Sequence, residues 1–337
     1  MAVWGCRIGH WRYALLAALS PMQTTMQTPM QTPMQKQNHS TPYVKAFFDE
    51  ATSTLSYVAA DMENKVCVVI DPVLDISDGS AEISTNSADQ IIRFIEDCEL
   101  RAAYVLETHA HADHLSAGYY LKQKLGSKIG ISSLIGDIQR KFAQIYSEAP
   151  HFPVDGSQFD ILLNDQQILS FGALQITALH SPGHTPACMA YHIGDALFVG
   201  DTLFMPDAGT ARCDFPGGNA RDLYFSIKRL LELPESTRVF VCHDYQPNGR
   251  TLAYEADIRT HRMENIHLRD GVSEVEFVKM RTARDRQLPM PKLMIPSMQV
   301  NIRAGALPRH PVSERPVITL PINAFGGDDL SEIVENQ

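Results

Sequence analysis

Three observations in the 337-residue sequence predict an α/β (α+β) fold. Short apolar stretches of strand length alternate with stretches whose apolar residues recur at helical spacing. The same succession of strand, polar turn and helix occurs in both halves of the chain. Hydrophobic residues make up 44% of the sequence and charged residues 20%, which is enough apolar material for a proper core.

In the first half, strands and helices are predicted from these two periodicities. Two strands are expected to pair across the polar turn at 61–65, and Asp71 and Pro72 end the second of them. The predicted elements are strands at 53–59, 66–70, 104–107 and 128–131, with helices at 88–98, 115–125 and 135–142.

The second half repeats this pattern. A hairpin is predicted over Gly194 and Asp195, a two-residue turn pair. The predicted elements are strands at 174–179, 189–192, 196–199 and 239–242, with a helix at 223–233.

Toward the C-terminus the chain is predicted to form a short extension that is partly helical and partly extended. Ser273 and Glu276 form a capping-box pattern ahead of a helix at 277–286. The prolines that follow predict an extended segment at 293–304.

The stretch from Thr108 to His114 places three imidazoles and a carboxylate in the pattern His-x-His-x-Asp-His. Neutral imidazole is the commonest protein metal ligand, and carboxylate suits harder cations. The stretch lies between a predicted strand and a predicted helix, so its ligands converge from a loop. The alternative is a polar loop that is rich in histidine by accident, and further ligands elsewhere would distinguish the two.

Further candidate ligands follow other predicted strands. Alone, His184 beside a Pro-Gly turn would be a turn histidine, and Asp201 would be a capping residue. Loops at strand ends are where rigid scaffolds place chemistry, so strands that share sheets gather these residues at one rim. Together with the cluster they supply the ligand types that metals require. The candidate metal-site residues are His109, His111, Asp113, His114, His184, Asp201 and His243.

This ligand pattern resembles that of the metallo-β-lactamase superfamily. The resemblance implies a four-layer αββα sandwich with the metal at one edge of its two sheets. From about residue 46 to 305 the chain also resembles the persulfide dioxygenases (the ethylmalonic encephalopathy protein-like family), in their longer bacterial type. That closer resemblance lies in the stretches Ile70–Leu74, Thr108–His114, Ser181–Pro186, Gly200–Phe204, Arg212–Phe215, His243–Tyr245 and Asn301–Gly305.

The closer resemblance implies one iron(II) per chain, held by His109, His184 and Asp201. Two histidines and one carboxylate form the facial triad of non-haem iron oxygenases, which leaves coordination positions open. All seven superfamily ligand positions are present, so the residues alone would equally permit two Zn(II) ions that activate a bridging water. The positions outside the triad are then supporting residues or ligands of a second metal: His111, Asp113, His114 and His243.

The implied reaction oxidises glutathione persulfide with O2 and water to sulfite and glutathione, as in sulfide detoxification. The alternative on the same fold is a binuclear zinc hydrolase of glutathione thioesters, resembling glyoxalase II. Arg212 and Arg303 are candidates to hold substrate carboxylates, because a guanidinium group binds them bidentately. Tyr245 is a candidate to hydrogen-bond near the metal, and a packed core tyrosine is its alternative. No further catalytic residue is predicted.

Composition limits the partners and the compartment. A formal net charge of −10 argues against general nucleic-acid or membrane-surface binding. No stretch approaches the roughly twenty apolar residues that span a bilayer. The cysteines form no C-x-x-C pair and lie in apolar surroundings, which indicates reduced thiols and a cytoplasmic protein. A homodimer is expected.

The first 41 residues differ from the rest of the chain. A Met-Gln-Thr repeat fills 22–34, and no acidic residue precedes Asp49. This leader is predicted to be a disordered tail, and a targeting segment to the mitochondrial matrix is the alternative. The predicted organisation is the leader at 1–41, a catalytic domain at 42–255, an extension at 256–308 packed on that domain, and a tail at 309–337.

Overall fold

Two six-stranded sheets pack face to face in the computed structural model, which describes residues 41–77, 79–148 and 152–326. The strands in chain order are β1 (Tyr43–Asp49), β2 (Thr54–Asp61), β3 (Val66–Ile70), β4 (Val73–Ile76), β5 (Ile83–Ser84), β6 (Arg101–Leu106), β7 (Leu115–Ser116), β8 (Lys128–Ser132), β9 (Ile161–Leu163), β10 (Ile168–Phe171), β11 (Leu174–His180), β12 (Met189–Ile193), β13 (Ala196–Phe198), β14 (Arg238–Phe240) and β15 (Glu255–Asp257). The first sheet has the order β1-β2-β3-β6-β8-β9, and the second runs from β10 to β15 in chain order. A small third sheet has the order β5-β4-β7.

Helices cover the outer faces of both large sheets. They are α1 (Asn86–Asp97), α2 (Gly118–Leu125), α3 (Ile135–Ile145), α4 (Ala220–Leu230), α5 (Ile258–Glu264), α6 (Glu274–Asp285) and α7 (Met294–Asn301), with 3-10 turns at Gly200–Thr202 and Pro247–Gly249. Apolar residues of α1 and α2 pack on the first sheet, and those of α4, α5 and α6 pack on the second. The protein is therefore an α+β sandwich of four layers, as predicted.

Strands β2 and β3 are buried on both faces, which explains why their sequences are nearly continuous apolar runs. Side chains alternate between the faces of a strand, so Tyr57 and Val68 point into the core between the sheets. Their neighbours Val58 and Val69 pack under the helices of the first sheet. This double burial fixes the register of the strands that lead toward the candidate site.

Several predicted elements are confirmed in detail. Strands β2 and β3 pair in antiparallel fashion, and β12 and β13 form the hairpin in which Ile193 faces Ala196. The capping box is present, because the side chain of Ser273 accepts from the backbone of Glu276 and the Glu276 side chain accepts in return.

Two predicted helix starts and one predicted extended segment are wrong, besides smaller shifts at other boundaries. The helix predicted from Leu115 begins at Gly118, because Leu115 and Ser116 pair with strand β4 instead. The helix predicted from Leu223 begins at Ala220, because the side chain of Asn219 caps its first turn. The segment at 293–304 is not extended: most of it forms α7. Pro296 lies in the first turn of α7, where a missing N–H costs no intrahelical hydrogen bond.

The predicted tail contacts the core over its described part. The side chain of Gln299 exchanges two hydrogen bonds of 2.9 Å with the backbone of Thr319, and Ile318 packs against the helix-covered face of the first sheet. Within the described residues, no helix is both long and apolar enough to cross a membrane. Residues 1–40 of the leader and 327–337 of the tail lie outside the described residues, so the proposed domain boundaries remain predictions.

Candidate metal centre

Four strand ends bring the candidate ligands to one edge of the sandwich. His109 follows β6, His184 follows β11, Asp201 follows β13 and His243 follows β14. Asp201 Oδ2 lies 4.0 Å from His109 Nε2 and 3.7 Å from His184 Nε2. One ligand atom from each of these three residues lies within 4.8 Å of the other two. The three residues that the resemblance implies as iron ligands therefore meet at one point.

A second group of ligands adjoins the first through Asp201. His243 Nε2 lies 3.3 Å from Asp201 Oδ1 and 3.0 Å from Asp113 Oδ2. The imidazole of His114 lies 6.2 Å from that of His243, measured between ring centroids. Asp201 thus faces both groups, which is the position of a carboxylate that bridges two metals.

Two glycines permit this convergence. Gly183 has φ +142°, and a Cβ there would lie 2.3 Å from Leu223 Cα on α4. Gly200 has φ +50°, and a Cβ would lie 2.4 Å from Thr108 Oγ1. Each glycine immediately precedes a candidate ligand, so the absence of a side chain lets His184 and Asp201 approach the centre.

Hydrogen bonds orient the imidazoles so that one nitrogen of each faces the centre. Backbone carbonyls accept the Nδ1–H of three histidines, over 3.2 Å for His114, 2.8 Å for His184 and 3.3 Å for His243. Thr108 Oγ1 lies 3.1 Å from His109 Nδ1. This arrangement leaves Nε2 of His109, His114 and His184 as the free lone pair, as in metal-binding histidines, whereas Nε2 of His243 lies 3.0 Å from Asp113 Oδ2.

The donor atoms that face the centre have no hydrogen-bond partner although they are buried. They are His109 Nε2, His111 Nδ1, His114 Nε2, Asp201 Oδ1 and His243 Nε2. Buried polar atoms in native proteins are normally satisfied, so a group of orphaned nitrogen and oxygen atoms points to a cation-binding site. Imidazole and carboxylate suit both iron(II) and zinc(II), so the residues fit a metal of either kind.

The buried carboxylate of Asp71 fixes the orientation of the histidine cluster through contacts with Thr108 and His111. Its carboxylate accepts hydrogen bonds of 2.7 Å from both the backbone N–H and the hydroxyl of Thr108. It also accepts one of 3.0 Å from His111 Nε2, while Glu107 Oε2 lies 3.5 Å from the same nitrogen. All four side chains are buried. With Nε2 engaged by Asp71, only Nδ1 of His111 is directed at the site.

His184 is oriented by a loop that α6 holds in place. The carbonyl that accepts its Nδ1–H belongs to Arg212. On either side of that residue, Cys213 N donates to Asp285 over 2.9 Å, and Arg281 donates to Thr210 O over 3.0 Å. Arg281 and Asp285 form a buried ion pair at 2.6 Å one turn apart on α6.

Burial and charge give the histidines different protonation states. Burial lowers the pKa of His109 well below its usual range, and neighbouring imidazoles lower it further. Burial also lowers the pKa of His114 to about 3. At His243 burial acts in the same direction, but the carboxylates of Asp113 and Asp201 outweigh it and raise the pKa to about 9. His109 and His114 are therefore neutral at neutral pH, the form in which imidazole binds metals.

A cleft with a volume of about 1320 Å³ opens over the centre, and its lining includes His184, Asp201 and Asp113. Tyr245 also lines it, stacked on His243 with ring centroids 5.7 Å apart. Phe204 packs edge-on against both rings. The side chain of Tyr245 is 55% exposed, so this predicted substrate contact is an open aromatic wall and not a packed core residue.

The two predicted carboxylate-binding arginines already have partners inside the chain. Arg212 lines the cleft, but its guanidinium donates to Asp214 over 2.5 and 2.7 Å and to Pro289 O over 2.6 Å. Arg303 pairs with Glu148 at 2.5 Å and is outside the residues that line the cleft. A substrate carboxylate at either arginine would compete with an existing ion pair.

Sequence reasoning assigned no role to Asp71, Glu107 or the pair Arg281 and Asp285. Asp71 stands in a stretch that carries the family resemblance, but there it only marked the end of a strand. The i,i+4 spacing of Arg281 and Asp285 was visible, yet such pairs usually lie on exposed helix faces. Their burial depends on α6 packing against the loop at 210–214, which local sequence does not reveal.

A family model of the metallo-beta-lactamase superfamily matches residues 50–243. The chain belongs to this superfamily. A probable metallo-hydrolase of Burkholderia pseudomallei (strain 1710b) is 50% identical over 292 residues, covering 84% of this chain and 99% of that protein. Glyoxylase B2 of Dictyostelium discoideum is 44% identical, covering 83% of this chain and 97% of that protein.

Persulfide dioxygenases are more distant relatives within the superfamily. Persulfide dioxygenase ETHE1, mitochondrial, of Homo sapiens is 28% identical, covering 78% of this chain and 88% of that protein. The crystal structure of ETHE1 from Myxococcus xanthus is 27% identical with a TM-score of 0.62, covering 78% of this chain and 100% of that one. The predicted resemblance is confirmed, and the chain belongs to a superfamily of metal-dependent enzymes.

Proposed function

We propose that this protein is a persulfide dioxygenase that uses a single iron(II) held by His109, His184 and Asp201. The observation that carries the proposal is the convergence of their three ligand atoms within 4.8 Å beside an open cleft. The relationship to proteins named persulfide dioxygenase supports it. The reaction consumes one glutathione persulfide, one O2 and one water, and yields one sulfite, one glutathione and two protons.

When bound, iron(II) supplies the redox chemistry that transfers both atoms of O2 to the terminal sulfur. Residues of the chain orient the metal ligands, contact the substrate and hold a proton beside the metal site. The Arg212 carbonyl holds His184 in one tautomer, so its Nε2 stays a ligand throughout. Tyr245 and Phe204 place aromatic surface beside the centre, where it would contact the peptide in the open cleft. The His243–Asp113 pair holds a proton next to Asp201.

A second candidate is a glutathione-thioester hydrolase with two Zn(II) ions. The observation that favours it is the pair of unpartnered Nε2 atoms on His114 and His243, which lie beside Asp113 and Asp201 as a second metal would require. Relatives named metallo-hydrolase and glyoxylase also have the higher identities. In the dioxygenase Asp113, His114 and His243 orient the triad, and His243 holds a proton instead of binding metal.

Oxygen uptake and sulfite formation with glutathione persulfide test the proposal. Iron-loaded protein should consume O2 and release sulfite in equal amounts, and should leave a glutathione thioester intact. Zinc-loaded protein is the matched control and should consume no oxygen. Hydrolysis of the thioester without any oxygen uptake by the iron form would reject the dioxygenase and favour the hydrolase.

The remaining expectations extend this proposal. Glutathione persulfide and O2 are the small-molecule partners, and a homodimer in the cytoplasm is the expected form, with the mitochondrial matrix as the alternative for a targeted leader. Tyr245 is the predicted substrate contact that the cleft accommodates most directly. Arg212 and Arg303 would bind a substrate carboxylate only if their ion pairs with Asp214 and Glu148 were broken.

A further inference from the structure

The charged side chains that line the cleft form ion pairs, with two exceptions. Asp207 pairs with Arg250 at 2.6 Å, Asp214 pairs with Arg212, and Arg281 pairs with Asp285. The carboxylates at the metal centre, Asp113 and Asp201, both lie within 3.3 Å of His243. Each of these side chains therefore already has an ionic partner inside the protein, and His243 is shared by two carboxylates.

The exceptions are Arg284 and Lys292. Both line the cleft, both are exposed, and neither side chain forms an ion pair or a hydrogen bond with any residue in the described ranges. Arg284 lies in the last turn of α6, and Lys292 lies in the loop between α6 and α7. The cleft of a protein with a net charge of −10 thus carries two cations that no internal carboxylate neutralises.

Unpaired cations in a cleft concentrate field lines there and attract anions, even where the whole molecule is acidic. A guanidinium group binds carboxylate through a bidentate fork, and an ammonium group binds it as a point charge. Two such groups in one cleft suit a small substrate with two carboxylates. Arg212 cannot serve in the same way without releasing Asp214 and the carbonyl of Pro289.

We propose that Arg284 and Lys292 form the anion-binding wall of the cleft and receive the two carboxylates of a glutathione-type peptide, while its sulfur faces His184 and Asp201. This inference rests on the proposed function for the identity of the peptide. It assigns substrate recognition to the C-terminal extension and separates it from the residues that hold the metal.

Equilibrium binding of S-methylglutathione, an unreactive analogue, to the full-length, metal-loaded protein tests the inference. Arg284→Gln and Lys292→Gln should each weaken binding about threefold to tenfold, and the double variant about tenfold or more, because each substitution removes a charge-assisted contact. The dimethyl ester of the same peptide lacks the negative charges, so its affinity should be equal in wild type and variants. Metal content should stay unchanged in all of them.

Arg286→Gln and Lys279→Gln are the matched controls, since both residues are exposed near the same helix but outside the cleft lining. The inference is overturned if the double variant binds as tightly as these controls, if the ester loses affinity equally, or if wild type does not bind the peptide. Charge-dependent binding without oxygen uptake would instead reject the dioxygenase. It would still support Arg284 and Lys292 as the anion-binding residues of the cleft.

Discussion

Asp71 is a buried carboxylate that connects the backbone, a hydroxyl and an imidazole of the histidine stretch. It accepts two hydrogen bonds from Thr108 and one from His111. Burial disfavours its charge, but His111 and the Thr108 hydrogen bonds outweigh burial and lower the pKa of the Asp71 carboxyl. Its charge and that of His111 therefore support each other. Removal of His111 leaves Asp71 buried without a cation, and removal of Asp71 leaves His111 with the more distant Glu107 alone.

Asp71→Ala should lower the free energy of unfolding of the metal-free protein by about 3–5 kcal/mol, the range for breaking a buried charge pair. Asp71→Asn should cost less, because its amide oxygen still accepts one hydrogen bond. Urea denaturation measures both, and Asp97→Ala on the exposed face of α1 is the control. A loss below about 1 kcal/mol for Asp71→Ala would contradict this account.

The lowered pKa of His267 predicts that the stability of the protein decreases as the pH falls. Burial lowers its pKa to about 4, with Arg281 and Arg284 adding to the effect, and its Nδ1 accepts a 3.0 Å hydrogen bond from Thr210 N. The unfolded chain takes up this proton near pH 6.5 and the folded protein only near pH 4. The stability contributed by His267 is therefore complete above pH 6.5 and decreases from there to pH 4, by about 3 kcal/mol in total.

Urea denaturation between pH 7.5 and 4 tests this dependence in wild type and in His267→Asn. The asparagine places an oxygen acceptor near Thr210 N but cannot titrate, so the variant should lose less stability than wild type as the pH falls. Parallel curves for the two proteins would show that another group causes the acid sensitivity.

At the level of secondary structure elements, α6 acts on the metal centre without contacting it. Its buried pair of Arg281 and Asp285 holds the loop whose Arg212 carbonyl orients His184. The partners of metal ligands are commonly as important for affinity as the ligands, because they fix tautomer and ring orientation. The C-terminal extension is therefore expected to influence the metal from outside the superfamily-matched residues.

The double variant Arg281→Met/Asp285→Leu should fold, since apolar residues of similar volume often replace a buried ion pair without loss of stability. It should bind metal about tenfold more weakly, because the loop at 210–214 loses both hydrogen bonds that hold it to α6. Competition with a chelator measures the affinity. The control is Arg262→Met/Asp270→Leu, which removes an exposed ion pair. Equal metal affinities for the two double variants would show that α6 does not influence the metal through this loop.

For the whole molecule, the sequence predicted the features that depend on short stretches of chain. The apolar runs before His109, His184, Asp201 and His243 identified strands, and strands place whatever follows them at a sheet edge. The features that it did not predict depend on residues far apart in the chain. Helix α7 depends on packing of Met298 and Ile302 against the core, which overrides a proline-rich local pattern.

The substrate contacts also depend on residues that are far apart in the chain. The motif containing Arg303 suggested a carboxylate ligand, but its pairing with Glu148 depends on how α7 meets the segment after α3. The free cations Arg284 and Lys292 carry no motif at all. They differ from the other charged residues of the cleft only in lacking an ionic partner, and which residues are partners depends on the fold.

Metal content tests the central claim, a single iron held by His109, His184 and Asp201, most directly. Protein produced with iron and purified without oxygen is analysed for metal per chain, in wild type and in three alanine variants. Wild type and His111→Ala should retain about one iron per chain, whereas His184→Ala and Asp201→Ala should retain almost none. About two metal ions per wild-type chain, or loss of iron from His111→Ala as complete as from His184→Ala, would contradict the single-metal triad.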